Sequence, residues 1–485
     1  MNTPMIRYLL GRVLQFQAGF LGLTVAVGLI YRENECWSFA AAALVCLLVG
    51  TLFVRKKPQD VSFYAKEGYM VVALSWILLS ITGAVPYVLN GEIPRFEDAL
   101  FEVVSGFTTT GASILVDVEA MSHVGLFWRS FTHWVGGMGV LVFMLAIMPA
   151  TGGQGMFLMQ AESPGPSVGK LVPRLKGTAK MLYGLYISLT LLELAVLLVL
   201  DMPFFDAITT AFGTAGTGGF AITSASMGGY SIAIQATVTV FMILFGVNFN
   251  VYFLMWIRKP KDAFRCEEMR CYLTIIAAAV LLITFNIMGG FESFFEAFHH
   301  AAFQVGSVIT TTGFATVDFN QWPEFSKTIL VIIMFVGACA GSTGGGIKVS
   351  RIMIMFRTIG KELDCIIHPR TVKKIRFEGR AVEHEVLRSI NVFFITYMMI
   401  YAASLLIISL DNFDFTTNFT AVAATLNNIG PGLNMVGPAG NFSEYSVLSK
   451  VVLIADMLLG RLEIFPLLVL MLPSNWKGFF RRRTV

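Results

Sequence analysis

The chain has 485 residues, of which 55% are hydrophobic and 14% are charged, and its mean hydropathy is +0.71. Soluble proteins average about 25% charged residues, so this composition excludes a soluble globular protein and predicts an integral membrane protein. The formal net charge of +4 says little about the class of partner, because it averages over two membrane faces that differ in the sign of their charge.

Apolar stretches long enough to cross a bilayer, which takes about 20 residues, predict ten transmembrane helices. They begin near residues 10, 37, 69, 127, 181, 231, 272, 327, 390 and 446. Four further apolar pieces are too short or too polar to cross, and each is predicted to be a re-entrant half-helix buried in protein. These pieces are 96–107, 204–213, 291–308 and 414–428. The predicted fold class is therefore an all-α polytopic membrane protein.

Lys and Arg residues set the predicted orientation, because they concentrate on the cytoplasmic side of a membrane. They fall in alternate linkers and in both terminal segments, which places both termini in the cytoplasm. The opposite side carries few basic residues, namely Arg32, Arg95, Arg129, Lys327 and Lys450, and a larger number of acids. Either these acids attract cations to an outer mouth, or they only solvate the loops.

A glycine-containing loop follows each predicted half-helix. The loops read TTTGAS (108–113), AGTGGF (215–220), TTTGFA (310–315) and NNIGPG (427–432), and their glycines align at 111, 218, 313 and 430. The order of span, half-helix, loop and span predicts four tandem repeats around a central pore. The predicted units are two extra N-terminal helices (1–60), repeat 1 (61–150), repeat 2 (151–260), repeat 3 (261–365) and repeat 4 with a basic tail (366–485).

The chemistry of such loops favours a cation pathway. A loop at membrane depth is tolerated only where it is buried in protein or lines a watery cavity, and glycine reaches positive φ without steric strain. Rings of backbone carbonyls replace the hydration shell of K⁺ in channels, and threonine hydroxyls add oxygen ligands. The alternative is that Gly and Thr only allow close helix packing.

The chain resembles the Trk/Ktr/HKT superfamily of potassium transport proteins, most closely its bacterial TrkH/TrkG branch. The resemblance covers essentially the whole chain and depends on the repeat pattern together with ACAGSTGGGIK (338–348), ATLNNIGPGL (424–433) and GRLEIF (460–465). It implies a gated, K⁺-permeating protein of the bacterial inner membrane that forms a homodimer in membrane lipid and docks on a cytosolic TrkA-type nucleotide-binding ring. It implies K⁺ as the transported ion, with no organic cofactor and no nucleic acid. The implied selectivity filter is Thr109, Thr110, Gly111, Gly216, Thr217, Gly218, Thr311, Thr312, Gly313, Asn428, Ile429 and Gly430.

The predicted span at 328–356 contains GACAGSTGGG, a sequence of poor helix propensity, so a loop is predicted to interrupt it. A phosphate-binding P-loop is excluded because Ile347, not Lys, follows Gly346. The resemblance implies that this loop gates the pore from beneath the filter, whereas a plain kink is the alternative. The implied gate consists of Gly337, Ala338, Gly341, Ser342, Thr343, Gly344, Gly345 and Gly346, together with Arg461.

Arg461 is predicted near the middle of an apolar span from Val447 to Leu472. A charge at membrane depth is a functional candidate by default, and neither Asp456 nor Glu463 is spaced to pair with it on a helix. Arg461 is therefore predicted to raise the barrier for cations below the filter or to fix the gating loop. The alternative is a structural salt bridge to a distant carboxylate.

No catalytic motif accompanies the histidines or cysteines, so an enzyme is not predicted. The stronger rival to a channel is a symporter that couples K⁺ to H⁺ or Na⁺, since broken helices and repeats also mark secondary transporters.

Overall fold

The structure is a computed structural model that describes residues 2–59, 64–139, 175–370 and 373–473. The basic tail at 476–485 and residues 170–174 of the basic linker at 170–180 lie outside the described residues. The helices are α1 (Thr3–Tyr31), α2 (Cys36–Val54), α3 (Ala65–Asn90), α4 (Phe96–Phe107), α5 (His123–Gly137), α6 (Leu175–Val199), α7 (Phe204–Gly216), α8 (Ile232–Phe245), α9 (Phe249–Trp256), α10 (Pro260–Phe264), α11 (Glu267–Ile287), α12 (Phe294–Ile309), α13 (Glu324–Val336), α14 (Val349–Ile367), α15 (His384–Ile408), α16 (Phe415–Leu426), α17 (Val447–Arg461) and α18 (Phe465–Met471).

A two-stranded antiparallel hairpin separates α14 from α15. It consists of β1 (Arg376–Phe377) and β2 (Arg380–Ala381), with Arg376 opposite Ala381. Short 3₁₀ turns lie at Met288–Gly290, Phe319–Gln321, Ser409–Asp411 and Asn434–Val436. The described part of the chain is thus predominantly helical.

Helices α1 and α2 pack along one another and against α3. Their backbones come close at Gly11 and Gly50, since a Cβ on Gly11 would lie 2.9 Å from the carbonyl oxygen of Gly50. Small residues permit such close approach of helices in lipid. The two helices form a unit that precedes the rest of the chain.

After α2, one order of elements occurs four times: a long helix, a short helix, a loop and a second helix. The short helices are α4, α7, α12 and α16, and the second helices are α5, α8, α13 and α17. All four predicted half-helices are therefore present as helices, with boundaries within three residues of those expected. Ser122, Ser231 and Ser446 each cap a second helix by accepting a hydrogen bond from a backbone N–H three residues later, and Pro323 precedes α13.

Six of the ten predicted spans are uninterrupted helices long and apolar enough to cross a membrane. A seventh is the pair α8 and α9, which meet at an angle of 89°. The remaining three begin where predicted, but α5, α13 and α17 contain only 15, 13 and 15 residues. The prediction of continuous second helices was wrong at α8 and α17, because the chain leaves the helix at Gly246 and again after Arg461.

The second helix of each hairpin packs against the short helix of the next one. Helix α5 packs on α7, α8 on α12, α13 on α16, and α17 on α4. The last contact joins the end of the chain to its first hairpin, so the four hairpins close into a ring. This closure brings the four glycine-containing loops together at the centre.

Candidate functional site: a ring of four loops

The four loops share one backbone conformation. Each has two residues in the left-handed region, separated by one residue. The first is Thr109 (φ 55°), Thr217 (52°), Thr311 (59°) or Asn428 (56°), and the second is Gly111 (78°), Gly219 (79°), Gly313 (88°) or Gly430 (100°). A non-glycine residue in this region costs about 1–3 kcal/mol. Four copies of the same strained conformation indicate that the surroundings impose it.

Hydrogen bonds fix which residues of the four loops are equivalent. The N–H of Thr110, Gly218, Thr312 and Ile429 each donates to the carbonyl five residues earlier, at 2.8–2.9 Å. Gly219, not Gly218, is therefore the counterpart of Gly111, Gly313 and Gly430. The predicted alignment of the second loop was wrong by one residue, because two adjacent glycines offer the same sequence signal. We call residues 109–111, 217–219, 311–313 and 428–430 loops 1 to 4.

Each loop touches the next through its glycine. A Cβ on Gly111 would lie 2.0 Å from the carbonyl oxygen of Gly218, and one on Gly219 would lie 2.0 Å from that of Thr312. A Cβ on Gly313 would lie 2.1 Å from the oxygen of Ile429, and one on Gly430 would lie 2.8 Å from that of Thr110. Contacts in the order 1, 2, 3, 4 and back to 1 close the ring without room for a side chain.

The backbone carbonyls of these loops have no hydrogen-bond donor among the described residues. The carbonyl oxygens of residues 109–111, 217–219, 311–313 and 428–430 accept no hydrogen bond from any described residue. Most of these residues are buried, with Thr110 and Asn428 at 0% exposure. More than 90% of buried backbone polar groups in proteins are paired, so a cluster of unpaired oxygens points to a ligand that the ring itself would hold.

The threonine hydroxyls, by contrast, are engaged within the protein. The hydroxyl of Thr110 lies 2.8 Å from that of Thr108 and accepts from Asn428 Nδ2 at 2.9 Å. The hydroxyls of Thr310 and Thr312 lie 2.7 Å apart. The backbone carbonyls, more than the hydroxyls, are thus available to bind a ligand at the ring.

The short helices direct their C-terminal ends at this ring, because each ends immediately before its loop. A helix C-terminus carries the equivalent of about half a negative elementary charge. Four such ends around one axis favour a cation there and disfavour an anion.

Helix α5 supports the first two loops from behind. Arg129 Nε donates to Glu102 Oε1 at 2.8 Å, and its Nη1 donates to the carbonyl of Ala221 at 3.0 Å. His133 lies one turn further along α5, where Nδ1 is 2.8 Å from the carbonyl oxygen of Gly106 and Nε2 accepts from the N–H of Phe220 at 3.1 Å. Sequence reasoning missed His133 as a site residue, because a lone histidine in an apolar helix carries no motif.

The predicted interruption between α13 and α14 is confirmed. Residues 337–348, here called the break loop, are not helical and pack directly beneath the ring. The N–H of Gly345 donates to the hydroxyl of Thr311 at 2.6 Å, and a Cβ on Gly345 would lie 2.5 Å from the carbonyl oxygen of Asn427. The predicted gate residues of this segment therefore lie against loops 3 and 4.

A buried carboxylate anchors the other side of the break loop. Glu268 Oε1 accepts from the N–H groups of Ala340 and Ser350 at 2.7 and 3.1 Å, and Oε2 accepts from Asn248 Nδ2 at 3.4 Å. Asn248 lies in the bend between α8 and α9, so Glu268 connects two broken helices. The ammonium of Lys348 donates to the carbonyl of Gly344 and so links two parts of the break loop. Sequence reasoning assigned no role to Glu268 or to Lys348.

Arg461 lies at the C-terminal end of α17 rather than in the middle of a continuous helix. The chain turns sharply after it, with Glu463 and Ile464 at positive φ. Nη1 donates to the carbonyl of Thr343 at 3.0 Å and to the hydroxyl of Thr109 at 3.1 Å. Nη2 donates to the carbonyls at the end of α5, Gly136 and Gly137.

The carboxylate of Glu463 pairs with Arg351 on α14. Arg461 thus meets the ring, the break loop and a helix end at once, and it lies among the predicted gate residues.

Four of the predicted outer charges are paired with each other rather than free on the surface. Glu102 and Arg129 are buried and paired with each other, and Lys450 lies 2.5 Å from Asp98 on α4. Pairing cancels most of the field of these four residues. Any attraction of cations to the outer side must therefore come from the remaining acids and from the ring.

Comparison with known proteins decides the family. Residues 37–477 match the TrkH family, described as a cation transport protein. The chain belongs to the TrkH family. It is 37% identical over 487 residues to the Trk system potassium uptake protein TrkH of Salmonella typhimurium, covering 98% of this chain and 100% of the relative. It is 33% identical over 465 residues to the Trk system potassium uptake protein TrkG of Escherichia coli K12, covering 94% of each.

A solved structure agrees with this membership. The crystal structure of the potassium transporter TrkH from Vibrio parahaemolyticus superimposes with a TM-score of 0.88 at 33% identity, covering 98% of this chain and all of that one. TrkH family members are transport proteins rather than enzymes, and the apolar helices of this chain place it in a membrane. The resemblance noted in the sequence is therefore confirmed at the level of the family.

Proposed function

We propose that this chain takes up potassium ions across the bacterial inner membrane through a pore on the axis of the ring. The observation that carries the proposal is the cluster of backbone carbonyls in loops 1 to 4 that no described residue hydrogen-bonds. Carbonyl oxygens in a ring replace the hydration shell of K⁺. The relatives of the chain are named as potassium uptake proteins, which identifies the same ion.

The short helices are proposed to be re-entrant, and each second helix to be one span broken near the ring. Adding the three broken helices to the seven candidates gives ten spans, with both termini in the cytoplasm. The breaks after α8, α13 and α17 follow second helices of similar length, and α5, whose continuation lies outside the described residues, matches them in length. Helix ends at membrane depth are tolerated where they line a cavity or are buried in protein.

The break loop and Arg461 are proposed to gate the pore. Glycines at positive φ give the loop a conformation that could change without side-chain clashes, and three of them lie within it, at Gly337, Gly341 and Gly346. Arg461 and Lys348 place two positive charges directly beneath the ring. Positive charge on the ion path raises the barrier for cations.

The proposed partners are a second copy of this chain and a cytosolic TrkA-type nucleotide-binding ring. The cytoplasmic segment 357–388 is rich in basic residues. Lys374 and Arg376 within it are exposed. Attraction to anionic lipid would account for the same charge, so this surface needs a direct test.

The experiment is cation flux in liposomes that contain the purified chain. Outward K⁺ and Na⁺ gradients of equal size are imposed in separate preparations, and uptake of ⁸⁶Rb⁺ is measured beside empty liposomes. The proposal expects uptake with K⁺ that exceeds uptake with Na⁺. Equal uptake in both gradients, or none above empty liposomes, would reject a potassium pore.

One observation favours a second candidate, a symporter that couples K⁺ to H⁺. Asp456 on α17 is buried; Oδ1 accepts from Ser404 Oγ at 2.7 Å, whereas Oδ2 has no hydrogen-bond partner among the described residues. Ionisable groups at membrane depth mark proton relays. A reversal potential that shifts with pH, and that stops shifting in Asp456→Asn, would establish coupling; a reversal potential independent of pH supports the pore.

A further inference from the structure

One position of the ring differs among the four loops. The middle residue, whose N–H donates five residues back, is Thr110, Thr312 or Ile429 in loops 1, 3 and 4, but it is Gly218 in loop 2. The φ of Gly218 is not positive, so this residue lies outside the left-handed region. Backbone conformation therefore does not require glycine at this position, and another cause must exclude a side chain.

That cause is the imidazole of His133. A Cβ on Gly218 would lie 2.2 Å from Cγ, 2.4 Å from Nδ1 and 2.5 Å from Cδ2 of the ring. Carbon atoms in van der Waals contact are separated by about 3.5–4.0 Å, so the ring occupies the volume that a side chain at 218 would need. His133 itself is fully buried.

The ring cannot easily move aside, because both nitrogens are used. The carbonyl of Gly106 can only accept, so Nδ1 carries the proton, and Nε2 then accepts from the N–H of Phe220. These bonds join the last turn of α4, which leads into loop 1, to the residue that follows loop 2. The imidazole is neutral in this arrangement, since protonation of Nε2 would set two N–H donors against each other.

The other second helices carry a different residue at the same place. His133 is the eleventh residue after the N-cap Ser122; the eleventh residues after Ser231, Pro323 and Ser446 are Met242, Met334 and Met457. Each of those helices packs on the next hairpin. A flexible methionine thus accompanies loops that keep a side chain, and a rigid histidine accompanies the loop that has none.

We propose that His133 and Gly218 act as a pair: the imidazole of His133 on α5 fills the space that a side chain at Gly218 would occupy, and it thereby fixes the position of the carbonyls of loop 2. His133 is then a positioning residue for ion discrimination. This inference rests on the proposed function, because discrimination has meaning only if the ring conducts cations. It makes the second loop dependent on a neighbouring helix in a way that the other loops are not.

The test is a double-mutant cycle that converts loop 2 to the pattern of its neighbours. His133→Met, Gly218→Thr and the double variant are purified, and the ratio of K⁺-driven to Na⁺-driven flux in liposomes is measured beside thermal unfolding. We expect each single variant to lower the ratio about tenfold, equivalent to about 1.4 kcal/mol, and the double variant to return to within about twofold of the parent. His300→Met, a half-buried histidine whose ring bonds only Thr316 among described side chains, serves as the control.

A ratio in His133→Met equal to that of the parent, or a double variant no better than the worse single variant, would overturn the pairing. Should Gly218→Thr fail to insert, Gly218→Ala with His133→Ala replaces it, since a single methyl group already meets the ring. The parent protein separates the two proposals. Absence of K⁺ flux in the parent rejects the proposed function. The pairing is then judged from thermal unfolding alone, and additive losses of stability across the mutant cycle would reject it.

Discussion

Arg461 and Thr109 are joined by a hydrogen bond of 3.1 Å from Nη1 to the threonine hydroxyl. The two residues are far apart in the sequence, at the end of α17 and in loop 1. The same guanidinium holds the carbonyl of Thr343 in the break loop. One side chain therefore connects the ring to the segment beneath it, and this connection makes the ring and the proposed gate a single mechanical unit.

We predict that Arg461→Gln increases K⁺ flux. The half-buried guanidinium of Arg461 is screened less than a surface charge, so its removal lowers the barrier for cations and releases Thr343. Liposome ⁸⁶Rb⁺ uptake and a thermal unfolding scan of the same preparation are the measurements.

Arg461→Lys is the matched control for charge, because it keeps the cation but loses the fork of donors that reaches several oxygens. Flux near that of the parent in Arg461→Lys, with higher flux in Arg461→Gln, assigns the effect to charge. Lower flux together with a lower melting temperature in Arg461→Gln would assign Arg461 to the scaffold instead.

Gly313→Ala should reduce K⁺ selectivity or conduction. Its φ of 88° and the carbonyl oxygen of Ile429, 2.1 Å from the new Cβ, both oppose a side chain. Gly306→Ala on the preceding helix is the matched control, because its Cβ would find no atom nearer than 3.6 Å. We expect a loss of the K⁺ over Na⁺ flux ratio of about tenfold or more in Gly313→Ala, equivalent to about 1.4 kcal/mol, and little change in Gly306→Ala. Equal ratios in both variants would mean that this glycine does not shape the ion path.

The positions of the loops and short helices could be predicted from the sequence. Polar Thr and Gly within apolar surroundings stand out, and the four short apolar pieces that precede them proved to be helices. The interruption at 337–348 was predictable for the same reason, because its five glycines and the small residues between them disfavour a helix.

Other features depend on contacts between distant residues and left no local signal. The register of loop 2 is decided by the hydrogen bond from Gly218 to Gly213 and by the ring of His133, neither of which a string with two adjacent glycines reveals. The turn after Arg461 places Ile464 at φ 72°, a conformation that β-branched residues disfavour. Ile464 is buried and its N–H donates to the carbonyl of Leu459 at 2.7 Å, so tertiary packing rather than local preference fixes the turn.

Removal of Gly341 to Gly346 should give a leaky protein. The break loop packs beneath loops 3 and 4 through Gly345 and Thr311, so its loss clears the path without altering the ring glycines. The measurement is liposome flux of K⁺ at equal amounts of inserted protein. Thr311→Val, which removes only the hydroxyl that accepts from Gly345, should produce a smaller rise. Flux no higher than in the parent, in protein that unfolds normally, would argue against a gate at this loop.

Charge reversal at Lys373, Lys374 and Arg376 should weaken capture of a cytosolic TrkA-type ring. All three residues are exposed near the β hairpin, and exposed charges at an interface govern association and its salt dependence. Pull-down from purified components at moderate salt is the measurement. Reversal of Lys259 and Lys261, which are exposed in a separate segment around α10, is the control. Full capture by the first variant would place the contact elsewhere on the chain.

The central claim is that the carbonyls of loops 1 to 4, which no described residue hydrogen-bonds, bind the transported cation. The most direct measurement is anomalous diffraction from crystals of the purified chain grown in K⁺ and exchanged into Tl⁺ or Rb⁺. The account predicts anomalous density on the axis of the ring, bounded by residues 109–111, 217–219, 311–313 and 428–430, that is lost in Gly313→Ala. An empty ring in protein that still transports the same ion in liposomes would contradict it.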